Sequence, residues 1–217
     1  MSDHNDKLKQ LKTSSMDRRL SIAKASLLAG TRWAASNATT MFSSEEEKEK
    51  KRKKAMKEQA DYLVSEIGKL KGSIVKIGQM MALYGEHFLP EEITQALNTL
   101  NNQTVALAWP AIKQQLHSQL GSKLDDLTID HEPLGTASLA QVHRATRKSD
   151  GLEMVLKIQY PGVAEAIDSD MSLFKNMLKL TRMVPQTREF DQWFDEVREM
   201  MHREVNYKIE AATTRRF

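Results

Sequence analysis

The chain has 217 residues, 40% of them hydrophobic and 28% charged, with a net charge of +3 and no cysteine. That balance suits one or two folded domains with a real core and excludes disorder throughout. Without cysteine there is no disulfide framework, thiolate metal site or cysteine nucleophile, and without a concentrated basic face a nucleic-acid partner is not expected.

Residues 1–44 read as a loosely organised segment, with one helix candidate from Asp17 to Ala29 closed by Gly30. The acidic opening Met1-Ser-Asp-His-Asn-Asp lacks the apolar run of a secretory signal. The expected location is therefore cytoplasmic, or peripheral at the inner face of a membrane. From the N-cap candidates Ser43-Ser44 a single long helix is predicted to about Tyr84, where Gly85 stops it.

Met56, Ala60, Leu63, Ile67, Leu70, Ile74, Ile77 and Met81 alternate at spacings of four and three, the seam of a packed helix. The basic cluster Lys48 to Lys57 is interleaved with Glu45, Glu46, Glu47, Glu49 and Glu58, as in a solvated helix start; a membrane-surface role for it stays open. Beside the seam, Gly68, Gly72, Lys76 and Gln79 recur at helical spacing as a stripe of little bulk. Each interior glycine costs a helix about 1 kcal/mol relative to alanine, so two of them one turn apart suggest that a backbone or ligand approaches closely. Lys76 could equally run along the helix edge with its head in water.

Pro90-Glu-Glu predicts another helix, with proline in its first turn. The span from Ile93 to Ile112 is uncharged, but Thr94, Gln95, Asn98, Asn101 and Asn102 are too polar for lipid, so no membrane-spanning segment is expected. A helix from Trp109 to Leu120 ends at Gly121.

The period changes near Leu127. Thr128 to His131, Ser138 to Thr146 and Leu152 to Tyr160 read as strands, the last two joined by the turn Lys148-Ser-Asp150-Gly151. In the third strand Leu152, Met154, Leu156, Ile158 and Tyr160 share one face, with Val155 and Lys157 on the other. After Pro161-Gly162, helices resume: Val163, Ile167, Met171, Phe174, Leu178 and Thr181 form one stripe, and a final helix is predicted from about Glu189 to the end. Helices before and after an antiparallel sheet give an α+β layout.

Between the first two strands stands Gly135-Thr136-Ala137-Ser138. Small residues there let backbone N–H groups approach a phosphate, although a tight turn alone would need the same residues. Lys157 in Val-Leu-Lys-Ile stands in a strand, where a lysine is ordinarily an exposed edge charge. In the last helix Phe190, Trp193, Val197, Met200, Glu204, Tyr207 and Ala211 keep the three-four rhythm, so Glu204 interrupts an apolar stripe and should be neutralised by a cation, with Lys76 the natural partner.

Gly72-x-x-x-Lys76-x-Gly78-Gln79, the alanine- and serine-containing loop, the strand lysine and Glu204-Val-Asn206-Tyr-Lys-Ile-Glu210-Ala211 occur in an order that resembles the UbiB-type (aarF-domain, ABC1-like) family of atypical protein-kinase-like proteins. The resemblance covers roughly residues 60–217. It implies a helical extension at 45–127 packed on a kinase-like N-lobe at 128–217, made of a short antiparallel sheet and a helix like the kinase αC, with the C-lobe absent.

It further implies ATP or ADP with magnesium, held by Gly135, Thr136, Ala137, Ser138, Lys157 and Glu210. Lys76, Gly78, Gln79, Glu204 and Asn206 would form a gate over the cleft. The family role is ATP hydrolysis or atypical kinase activity linked to ubiquinone (coenzyme Q) biosynthesis, with membrane lipid or quinone-biosynthesis proteins as partners.

Two departures stand out. Asn206 replaces the family's aspartate and brings no charge. The catalytic-loop aspartate and the metal-binding aspartate have no counterpart in this sequence, so the polypeptide alone is expected to be inactive. The alternative from a different class is a non-catalytic helical interaction or membrane-surface module.

Overall fold

The computed structural model describes residues 44–70, 72–102, 106–180 and 184–216, with Leu20, Ala23, Lys24 and Thr31. The helix expected over Asp17 to Ala29 lies largely outside the described residues, as does Thr181. Ser44 accepts the Glu47 N–H at 3.3 Å and starts α1, Glu45–Leu70. The predicted long helix is two. Gly72 takes φ 69°, a left-handed conformation that a glycine adopts freely, and α2, Ser73–Tyr84, starts immediately after it. The seam is nevertheless right in its content, because Ala60, Leu63, Ile67, Leu70, Ile74, Ile77 and Met81 are all buried. The small-residue stripe is not continuous: Gly68 belongs to α1 and Gly72 to the break, which leaves Lys76, Gly78 and Gln79 together on α2.

Pro90 sits just before α3, Glu91–Asn98, as its N-cap rather than inside its first turn, and a 3₁₀ turn, Thr99–Asn102, follows. Helix α4, Trp109–Leu120, stops at Gly121 as its sequence predicts, and a second 3₁₀ segment leads into the sheet. The strands are β1, Leu127–Ile129; β2, Gly135–Thr136; β3, Ala140–Arg147; and β4, Glu153–Gln159. All pairing is antiparallel around β3, with Thr128 opposite Thr146, Gly135 opposite Val142, and Val142 opposite Lys157. The short β2 was not foreseen; two residues are too few to show alternation.

Helix α5, Val163–Leu180, presents Val163, Ile167, Met171, Phe174 and Leu178 to the core. The expected last helix is also two, α6, Arg188–Glu204, and α7, Tyr207–Thr214. The break has a local cause: the Asn206 side chain accepts the Ile209 N–H at 3.3 Å and starts a new helix. One continuous buried cluster joins α1, α2, α3, α5 and α6 and reaches Ile158 and Tyr160 at the end of β4. Fully burying each large apolar side chain is worth about 1.5–3 kcal/mol, so this cluster fixes where α2 stands relative to the sheet.

Candidate functional site

The site lies where α2, the β2–β3 turn, β4 and the α6–α7 junction meet. On β4, alternation turns Ile158 into the core and Lys157 outward. Lys157 Nζ lies 2.8 and 2.9 Å from the two carboxylate oxygens of Glu210. It also stands 4.8 Å from the centroid of the Tyr207 ring, within cation–π range. Glu210 occupies the first turn of α7, where a carboxylate is favoured by the helix dipole. Burial, then the nearby Glu210 and Glu204 carboxylates, push the Tyr207 hydroxyl up to about 12.

Lys76 meets Glu204, with Nζ 3.0 Å from Oε1. The environment differs from the sequence expectation. Glu204 is the last residue of α6, and its side chain is 44% exposed against 23% for Lys76, so the pair is a half-solvated rim contact rather than a buried one. The apolar stripe of α6 runs through Phe190, Trp193, Phe194, Val197 and Met201, all buried, and ends before Glu204. Asn206 acts through its cap, a hydrogen-bond role that needs an acceptor oxygen and no charge. The substitution of asparagine for aspartate therefore leaves this contact intact.

Gly78 is where side chains, not another backbone, come close: a Cβ there would lie 2.5 Å from Leu100 Cδ1 and 3.4 Å from Leu97 Cδ2, so any larger residue would push the Leu100 side chain aside. One residue on, Gln79 Nε2 donates to the Leu100 carbonyl at 3.1 Å, while its Oε1 accepts the Ser138 hydroxyl at 3.3 Å. The small-residue turn is thus tied to α2. Gly135 and Thr136 form β2, and Ala137 N–H donates to the Ala140 carbonyl at 2.8 Å to close the turn. A Cβ added at Gly135 would meet nothing within 4 Å.

Several contributors escaped the sequence reading. Val142, opposite Lys157, and Val155, two residues before it, share its sheet face, and Val155 is 63% exposed. Gln159 Nε2 donates to the Val205 carbonyl at 3.0 Å and ties β4 to the α6–α7 junction. Gln141 is buried, with Oε1 accepting the Leu107 N–H at 2.9 Å and Nε2 set 2.8 Å from His143 Nε2. His143 Nδ1 lies 2.7 Å from the Asp130 carbonyl, so Nδ1 carries the proton and Nε2 accepts from Gln141. Trp109 covers this network, its ring stacked on His131 at 4.3 Å. Two polar residues at alternate positions of a strand, Gln141 and His143 on the buried face, were the available signal.

A strand lysine clasped by a helix glutamate, beside a turn of small residues, is the arrangement of kinase-like proteins. Residues 99–217 match the ABC1 atypical kinase-like domain, and the chain belongs to that family. It is 28% identical over 163 residues to "Atypical kinase COQ8, mitochondrial" of Schizosaccharomyces pombe, covering 74% of this chain and 27% of that protein. Against the Saccharomyces cerevisiae protein of the same name the identity is 30% over 159 residues, covering 72% of this chain and 32% of the relative. The chain thus spans about a third or less of the curated relatives it matches. Among solved structures, the Rv3197–erythromycin complex from Mycobacterium tuberculosis aligns with 76% of this chain and 42% of its own, at 27% identity and a TM-score of 0.40. Among the described residues no helix is long and apolar enough to cross a membrane.

Proposed function

We propose that this chain supplies a nucleotide-binding surface of a UbiB-type atypical kinase or ATPase, with the family's role in ubiquinone (coenzyme Q) biosynthesis. The observation that carries the reading is the Lys157–Glu210 pair, at 2.8 and 2.9 Å, on the same sheet face as Val142 and Val155. In kinase-like proteins such a lysine neutralises the α and β phosphates of ATP while the glutamate holds it in place. The exposed apolar Val155 offers a flat base an apolar surface to cover, and the open space at Gly135 leaves room for phosphates beside the turn from Gly135 through Thr136 and Ala137 to Ser138.

Lys76, Gly78, Gln79, Glu204 and Asn206 form the gate in this reading. Gln79 ties the turn to α2, Lys76 ties α2 to the end of α6, and Asn206 starts the helix that presents Glu210. Among the described residues no three His, Asp or Glu side chains converge to hold a metal, so magnesium would arrive on the nucleotide's phosphates. Phosphoryl transfer also needs metal-held phosphates and a positioned nucleophile, so this polypeptide alone is proposed to bind ATP or ADP without turning it over. Its place is proposed to be peripheral to a membrane, beside quinone-biosynthesis proteins.

Thermal unfolding with and without ATP or ADP and magnesium tests the reading. At a nucleotide concentration of a hundred times Kd, binding adds about 2.7 kcal/mol, a rise in Tm of several degrees. Lys157→Met should abolish the rise while leaving the unliganded Tm nearly unchanged. No rise in the parent chain with either nucleotide sinks the proposal.

A further inference from the structure

Asp170 is a buried carboxylate that the nucleotide reading does not use. It projects from α5, and the Ser73 hydroxyl donates to its Oδ2, with both residues buried. Ser73 is the first residue of α2. The residue before it, Gly72, has no side chain with which to cap the helix, and the first N–H groups of any helix lack intrahelical acceptors. That end of α2 also carries the positive pole of the helix dipole. A carboxylate set there from another helix accepts the Ser73 hydroxyl and places an acidic group beside that pole.

The position matters because α2 is rigid between its breaks. At about 1.5 Å per residue, Gln79 stands roughly 9 Å along the axis from Ser73, and Lys76 about half as far. A slip or rotation at the first turn is carried directly to the contacts with Ser138 and Glu204. Across the helix, the Leu97 and Leu100 side chains lie against Gly78, and the Ser73–Asp170 hydrogen bond is the polar contact at the N-terminal end.

We infer that Asp170 is a positioning residue: through Ser73 it pins the N-terminus of α2 and so sets where Gln79 meets the Ser138 turn and where Lys76 meets Glu204. The functional weight of this inference rests on reading α2 as the gate; its test needs no nucleotide.

Because the chain has no cysteine, Gln79→Cys with Ser138→Cys creates one cross-linkable pair, read with a short bis-methanethiosulfonate reagent well below Tm. Thr146→Cys with Glu153→Cys, Cα partners across β3 and β4, is the control pair. Adding Asp170→Ala should slow cross-linking at 79/138 by about fivefold or more relative to the control pair. Ser73→Ala, which removes the donor and keeps the acid, should act in the same direction.

Less than about fivefold slowing with Asp170→Ala, or an equal slowing of the control pair, overturns the inference. If Asp170→Ala does not unfold cooperatively, Ser73→Ala decides alone: selective slowing at 79/138 supports the inference, and parental or non-selective rates overturn it. A missing nucleotide shift in the parent chain would sink the nucleotide reading and leave this result standing.

Discussion

The helical side of the molecule and the outer face of the sheet are held by different forces. Around α2, Ile74, Ile77, Met81, Leu97, Leu100 and Phe174 are buried and interlocked, and Ser73 with Asp170 is a polar pair admitted among them. On the outer sheet face the contacts are charged and wet: Lys157 is 47% and Glu210 52% exposed. Interlocked apolar packing is worth kilocalories and tolerates no movement, whereas exposed ion pairs are worth a fraction of one and can be exchanged for a ligand's charges. The contrast assigns the rigid side to placing α2 and leaves the sheet face free to bind.

The largest expected effect is on the rigid side. Phe174→Ala removes a buried ring beside Gly78 and should cost about 3–5 kcal/mol in urea unfolding; a loss near 1 kcal/mol would mean that this side is as loose as the other. Next is the buried amide between the two regions. Gln141→Leu strands the Leu107 N–H and the His143 ring, and should cost about 2 kcal/mol, where an exposed polar change costs almost nothing.

A third effect is read by pH and touches both regions. Burial pushes the Tyr160 and Tyr207 hydroxyls up to about 12 from an ordinary value of 10. A raised folded-state pKa means that the stability is fully present below pH 10 and is lost as pH climbs toward 12. Tyr160→Phe should therefore flatten the fall of Tm across that alkaline range. The smallest effect is the Lys76–Glu204 pair: a double-mutant cycle on Lys76→Met and Glu204→Gln should give a coupling of about 0.5 kcal/mol, shrinking with salt. A coupling several times larger would show that this rim contact is drier than its exposure says.

What the sequence revealed followed from where each signal is carried. The three-four seams of α1, α2 and α5 were legible because burial of large apolar residues imposes periodicity over many positions. The breaks at Gly72 and Asn206 were not, since each depends on one residue's backbone or one side-chain cap, and the apolar rhythm runs on across both. Lys157 and Glu210 were grouped in advance only through the family resemblance, since opposite charges on a strand and a distant helix form no pattern of their own. Gln141, His143 and Gln159 could not be placed in advance, as their partners are the backbone carbonyls and amides of distant segments, which every residue possesses. The wetness of Glu204 was missed for a simpler reason: the rhythm that placed it on the buried stripe outlasts the helix that carries it.

Gln79 has a chemical polarity that no charged replacement of its length reproduces. Its nitrogen must give a proton to the Leu100 carbonyl and its oxygen must take one from Ser138, so the group works only as an oriented strut with unlike ends. A glutamate of the same length would set an anion against a carbonyl lone pair, and a lysine would offer two donors where an acceptor is wanted. The chain of contact from the 3₁₀ turn to the β2–β3 turn therefore has a sense of direction, and reversing that single amide would uncouple both ends at once.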